Sequence, residues 1–542
     1  MRFLIRVFVP LLSLSGFLCA QQLSPPEIAK IDQVFADYAK PDSPGCSLGI
    51  FRNDSIAYAH GYGLASLELG VPITPQTVFD IGSTSKQFTA FSILLLQQQG
   101  KLSVDDDVRK FVPEIPDYGK RITLHHLMTH TSGMRDYAGL FDLAGVPEQN
   151  LTNDQDALDL IVRQKALNFA PGDEWDYSNT GFFLLSQVVQ RVTGKTLRDF
   201  EQENIFRPLG MSSTVIFNDH TQVVPHRATG YSYDQEKKTF GVEMSNFEQT
   251  GDGSIQTSVQ DLLRWDANFY TAKIGGPDLI KEMQVVGKLN NGKEHNYAAG
   301  LEISTYRGQP TVRHGGAWAG YRAELLRFPK QHTSVAVLCN VAQSAPSVRA
   351  DRVADVLLAN VLAPAAKKKE EAGQSVDPKI LEKYVGVYKN DNDAYQRVEL
   401  KDGKLILANY GIELIPVSAS SFRTNFTEGT ISFADKQMVF GIEDKPETYN
   451  LIQVSAPTDL SSFAGDYYSP ELDATWQLTV QNGELKTHVK HSDSPAMTLR
   501  PVSDDTFMLL EGGSLRIENQ GGRPARAFLT VDRIRNIEFT RN

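Results

Sequence analysis

The chain has 542 residues, more than one hydrophobic core ordinarily organises, so two to four domains are expected. It is 41% hydrophobic and 22% charged, the composition of an ordinary globular protein. Its net charge of -11 excludes nucleic acid and anionic membrane surfaces as natural partners, because both require a basic face.

Residues 1–20 read as a signal peptide: Arg2 and Arg6 stand before or within an apolar stretch from Phe3 to Ala20, and Gln21-Gln22 follow. The stretch is too short for a stable membrane span. Leu18 fits the small-residue rule poorly for a cut after Ala20, and Phe17-Leu18 is a poor approach to a lipid-anchored Cys19. The expectation is a product exported to the periplasm or secreted, without a lipid anchor. Cys46 and Cys339 would then remain. An oxidising compartment permits a disulfide between them, but two buried, unpaired thiols are the expectation.

From 21 to 362, strand-like and helix-like runs alternate. Pro25 to Ala39 predicts a helix, and Cys46–Phe51 with Ile56–Tyr62 predicts a hairpin across Arg52-Asn53-Asp54. Phe88–Gln99 predicts a strongly apolar helix stopped at Gly100, and Gly181–Thr193 another stopped at Gly194. Gln309–Val312, Glu324–Phe328 and Thr333–Leu338 read as strands, and Ser347–Val361 as a closing helix. Strands at both ends with helices between them predict an α+β domain: an antiparallel sheet completed by both termini and flanked by helices.

Residues 363–378 read as a linker, because Lys367-Lys368-Lys369-Glu370-Glu371 has no apolar face and its charges cancel. Beyond it the pattern becomes all-β and repeats itself. Leu381 to Tyr388 returns as Leu460 to Tyr467, and Val398 to Leu405 returns as Leu478 to Leu485. Each copy holds about eight short strands, enough for a small closed barrel. Two lipocalin-like antiparallel barrels at 379–456 and 457–542 are expected, with one larger barrel as the alternative.

Three motifs carry the chemistry. Ser83-Thr84-Ser85-Lys86 opens the apolar helix, and a spacing of three puts serine and lysine on one face. A serine attacks an acyl carbon only if its proton is taken, and the lysine stands where it can take it. Alone, the same four residues describe a helix N-cap and a solvated lysine. Tyr177-Ser178-Asn179 adds a phenol able to relay a proton and an amide able to hold a carbonyl. Tyr388-Lys389-Asn390 repeats that tripeptide, so it is not diagnostic by itself. His314-Gly315-Gly316-Ala317 lies on or beside a late strand, where glycines admit a substrate backbone.

In this order the three motifs resemble the penicillin-recognising serine hydrolases, in the branch of class C β-lactamases, D-alanyl-D-alanine carboxypeptidases, D-aminopeptidases and esterases. Leu124-His125-His126-Leu127-Met128-Thr129-His130-Thr131-Ser132-Gly133 and Phe206-Arg207-Pro208-Leu209-Gly210-Met211 are family-like too, and the resemblance spans about Ile28 to Val361. It implies Ser83 as nucleophile, Lys86 as its base and Tyr177 as proton shuttle. It further implies that Asn179 positions the substrate amide, that His314 is the cation of the third motif with Gly316 beside the substrate, and that the N–H groups of Ser83 and Ala317 form an oxyanion hole. Free Tyr and Lys titrate near 10, so working at pH 7 requires a shift of roughly 3 units, about 4 kcal/mol. Only nearby positive charge can lower the tyrosine, and a histidine supplies it only near or below about pH 6.5.

Histidine in place of the usual lysine, together with tandem barrels like those of D-aminopeptidases, implies amidase or esterase action on small or short-peptide substrates. A β-lactamase or carboxypeptidase, and a non-catalytic sensor or wall-binding protein, are the alternatives. No cofactor or metal is implied: His126 and His130 have the i,i+4 spacing of a zinc pair but lack an evident third ligand. The oligomeric state is open.

Overall fold

A computed structural model describes residues 23–147, 149–364, 376–424, 430–442, 445–493, 495–509 and 512–542. The expected signal peptide and most of the expected linker lie outside these residues. Among them, no helix is long and apolar enough to cross a membrane.

The first domain is built on a six-stranded antiparallel sheet in the order Glu302–Tyr306, Gln309–Trp318, Tyr321–Phe328, Thr333–Cys339, Cys46–Arg52, Ser55–Tyr62. The expected hairpin is there, turning at Asn53 and Asp54, both at positive φ. The N-terminal strand completes the sheet against the last one, which joins the two ends of the domain. Alternating strand residues face opposite ways. Leu48, Val335 and Val337 pack beneath the helices Pro25–Val34 and Pro346–Leu357. Leu325, Ala336 and Leu338 face the larger core around the helices Lys86–Gln98 and Val259–Thr271.

Register corrects the expectation of free thiols. Cys46 stands directly opposite Cys339 with Cα atoms 4.0 Å apart, and the two form a disulfide. Each reading as a buried strand residue was right; what the sequence lacked was the pairing of two strands 293 residues apart.

The helix Lys86–Gln98 is buried along almost its whole length, so it is apolar on every side rather than on one stripe. It is the post around which the domain's helices pack. Gly100, at φ +70°, ends it as expected.

The repeat folds as two separate closed eight-stranded antiparallel barrels, not as one. Strand Gly386–Lys389 closes the first against Lys445–Ile452, and Gly465–Ser469 closes the second against Ile534–Arg541. The same contact locks each entrance: Tyr388 donates to the Tyr384 carbonyl, and Tyr467 to that of Phe463. Barrel 1 has its own core around Phe422, Phe433 and Tyr449. The core of barrel 2 is continuous with that of the first domain. Trp476 donates to the Leu143 carbonyl, and Arg135 meets Glu471 at 2.6 Å with both side chains almost fully buried.

Candidate active site

Ser83 sits in a tight turn, Gly82–Ser85, directly before the central helix. Gly82 adopts φ +47°, and a Cβ there would meet the Ala317 backbone nitrogen at 2.7 Å. A side chain on Gly316 would fall 1.9 Å from the Ile81 carbonyl oxygen. Two glycines thus let the strand Gln309–Trp318 lie against the serine's turn. Gly316 serves this close packing. Ser83, Asn179 and Ala317 border a cleft of about 50 Å³, with Tyr137, Phe247, Gln249, Asp252 and Trp318 as further walls.

Lys86 is fully buried and its ammonium nitrogen has three acceptors: Ser83 Oγ at 2.9 Å, Asn179 Oδ1 at 2.8 Å and the Asp252 carbonyl at 2.7 Å. Burial lowers its pKa to about 8, the carboxylates of Asp252 and Asp136 resist, and the Arg533 guanidinium assists. At neutral pH roughly a tenth of such a lysine is free base, against less than a thousandth of a free one.

Asn179 begins the helix Asn179–Thr193, and its backbone N–H donates to Asp136 Oδ2 at 2.5 Å. The Tyr177 ring lies 4.1 Å from the buried His130 ring, with the Lys86 nitrogen 5.0 Å from its centroid. Burial drives the Tyr177 phenol far above its ordinary value, opposed by the Ser83 hydroxyl and the charge of Arg533.

His314 does not line the cleft and is not the cation that the motif implied. It is 3% exposed, and burial pushes it down to about 4, so it is neutral at pH 7. Its Nδ1–H donates to the Gly315 carbonyl at 2.6 Å, and Nε2 accepts from the Tyr297 hydroxyl at 2.7 Å. The tautomer follows from those partners.

Positive charge comes from elsewhere. Arg533, at the turn between the barrel 2 strands Arg523–Val531 and Ile534–Arg541, stacks over the Tyr177 ring at 4.9 Å. Asp136, 3.9 Å away, and Asp532, 3.7 Å away, hold it there. Nothing in the sequence near the motifs signals it; an arginine in a barrel hairpin reads as a solvated turn.

Asp252 and Tyr137 were also unforeseen. The Tyr137 hydroxyl donates to Asp252 Oδ2 at 3.0 Å, and burial raises the Asp252 carboxyl to about 6, so it is mainly ionised at pH 7. The histidine pair separates: His126 lies in the helix Leu124–Met128 and accepts from the Thr123 N–H, while His130 lies beyond its end against Tyr177. Among the described residues, one group, Asp219, His220 and Glu248, has metal-ligand spacing, and it lies on the exposed surface.

A helix-flanked antiparallel sheet thus sets a cleft-lining serine beside a buried lysine, with a tyrosine ring against that lysine. The Beta-lactamase family model matches residues 31–360, and the chain belongs to that family. A D-aminopeptidase of Cereibacter sphaeroides is 30% identical over 92% of this chain and 96% of its own, barrels included. Penicillin-binding protein 4* of Bacillus subtilis is 30% identical over 68% of this chain and 85% of its own. The octameric penicillin-binding protein homologue of Pyrococcus abyssi superposes with a TM-score of 0.58 at 26% identity, covering 78% of this chain and 99% of its own. A D-amino acid amidase from Ochrobactrum anthropi shares the fold at 21% identity and a TM-score of 0.51 over 61% of this chain. These relatives support a serine hydrolase of this family.

Proposed function

We propose that the protein is an exported amidase of the D-aminopeptidase type, hydrolysing small amides or short peptides with a free amino end through an acyl-enzyme on Ser83. The observation that carries the substrate class is Asp252, an ionised carboxylate in the wall of the cleft that holds Ser83. Its carboxylate accepts from the Tyr137 hydroxyl in that wall, where it can pair with a substrate's ammonium. The D-aminopeptidase relative, aligned through both barrels, supports the same reading.

In this mechanism Lys86 as free base takes the Ser83 proton while Oγ attacks the acyl carbon. Asn179 orients both Lys86 and the substrate amide. The N–H groups of Ser83 and Ala317 receive the oxyanion. Tyr177, with Arg533 over its ring, relays the proton to the departing amine, and water then resolves the acyl-enzyme. The disulfide between Cys46 and Cys339 supports export, because such bonds persist in oxidising compartments.

Arg533 favours one second reading. A guanidinium over the Tyr177 ring could hold a substrate carboxylate, as a β-lactamase or D-alanyl-D-alanine carboxypeptidase requires. Hydrolysis of D-alanine p-nitroanilide, nitrocefin and a short-chain p-nitrophenyl ester separates the two. The amidase reading requires turnover of the anilide, with KM raised at least tenfold by Asp252→Asn while kcat for the ester is kept. Turnover of nitrocefin alone overturns it.

A further inference from the structure

Where the three domains meet, the structure encloses a second cavity, of about 610 Å³, that shares no wall residue with the hydrolytic cleft. A volume of that order suits a small organic ligand. Its walls come from the loop before Tyr177, from barrel 1 and from barrel 2.

The charge of the described walls is one-sided: Glu174, Asp176, Glu447 and Asp532 stand against a single guanidinium, Arg535. Arg535 is already held by Glu174 at 3.0 Å and Asp176 at 4.0 Å, and Asp532 meets Arg533 behind the wall at 3.7 Å, so four carboxylates stand against two guanidiniums and the surplus is negative. A second observation points to a ligand that donates hydrogen bonds. The Tyr449 hydroxyl gives its proton to Glu447 at 2.6 Å, so its oxygen is left to accept from the Gln396 amide. Gln396, 4% exposed, therefore keeps Oε1 free, and that oxygen has no hydrogen-bond partner. An unsatisfied buried acceptor is costly and rare. Trp175, Tyr410 and Phe440 add aromatic surface, which attracts cations.

We propose that this cavity is a second binding site, taking an organic cation that carries a primary ammonium group. Negative walls, an acceptor lacking a donor and aromatic faces select the same ligand: N–H donors, positive charge and a carbon body. An anion would be repelled, and a neutral sugar would leave the charge unanswered. The site adjoins the catalytic groups through the chain itself, since Asp176 precedes Tyr177 and Asp532 precedes Arg533. It stands independently of the substrate that Ser83 cleaves.

The test titrates 1,5-diaminopentane into the full-length Ser83→Ala protein, followed by calorimetry and by tryptophan fluorescence, for which Trp175 is the reporter. Saturable binding is expected, weakened at least tenfold by Gln396→Leu with Glu447→Gln and unchanged by Asp252→Asn. Neither acetate nor N-acetylglucosamine should displace the diamine. Absence of saturable binding, its loss in Asp252→Asn, or displacement by the sugar would each overturn the proposal. Should the double variant fail to fold, Glu447→Gln alone, at an exposed residue, must weaken binding at least threefold; unchanged affinity overturns the proposal equally.

Discussion

Replacing Arg533 by Met keeps most of the side chain's bulk over Tyr177 and removes its charge. Arg533 and the Lys86 nitrogen each lie within 5.0 Å of the Tyr177 ring centroid, so the charges are at most about 10 Å apart. At that distance two unit charges repel by about 1.7 kcal/mol at an effective dielectric of about 20, and about 0.8 kcal/mol at about 40. The Arg533 side chain is 37% exposed, so solvent screening favours the lower figure. Arg533 lowers the pKa of Lys86, so its removal raises it. The rate requires the free base; hence the acidic limb of the kcat/KM profile, set near 8 by Lys86, moves to higher pH by roughly half a unit. Tyr177 also loses the charge that opposes the effect of burial, and its proton transfer slows. The two effects together predict a kcat about tenfold lower at pH 7, equivalent to about 1.4 kcal/mol. The assay is a pH–rate profile from 5.5 to 10 on the anilide, with near-UV circular dichroism to show that barrel 2 remains docked. A limb that stays in place with kcat within twofold of the wild type would refute the electrostatic role of Arg533.

Ser83→Ala should abolish labelling by a covalent serine probe while leaving the melting temperature unchanged; labelling retained in the variant would remove Ser83 as nucleophile. His314→Lys, which on the motif alone would shift the pH profile, should instead destabilise the protein by several kcal/mol, because it places an ammonium where a neutral ring bridges Tyr297 and Gly315. Thermal melting checks this, and a variant as stable as the wild type contradicts the buried, neutral histidine. Glu471→Gln leaves Arg135 buried without its charge partner, a loss of about 3–5 kcal/mol at the barrel 2 interface. Limited proteolysis should then release barrel 2, with activity falling in parallel as Arg533 leaves Tyr177.

The sequence alone determined what depends on short spacings. Ser83 and Lys86 meet because residues three apart at a helix start share a face, and that holds whatever surrounds them. The two barrels were legible because each copy carries its own strands and turns, a pattern local enough to read without the rest of the chain, although the core of barrel 2 runs on into the first domain. The central helix was legible too, as an apolar run stopped by glycine, though it starts at Lys86, directly after the turn Gly82–Ser85, rather than at Phe88.

Tertiary structure decided everything that depends on distant segments meeting. Cys46 and Cys339 were correctly placed in strands, yet only the sheet register brings them opposite one another. His314 carries the ordinary pKa of an imidazole in sequence, and burial, assisted by the charge of Lys86, lowers it to about 4, so that it no longer gains a charge near neutral pH. Arg533 lies 356 residues from Tyr177, and no local pattern links them. Barrel 2 docks through Glu471 and Trp476, and that docking carries the arginine to the tyrosine. A motif fixes which atoms react; the charge around them is a sum over space, and spatial neighbours are set by packing rather than by order along the chain.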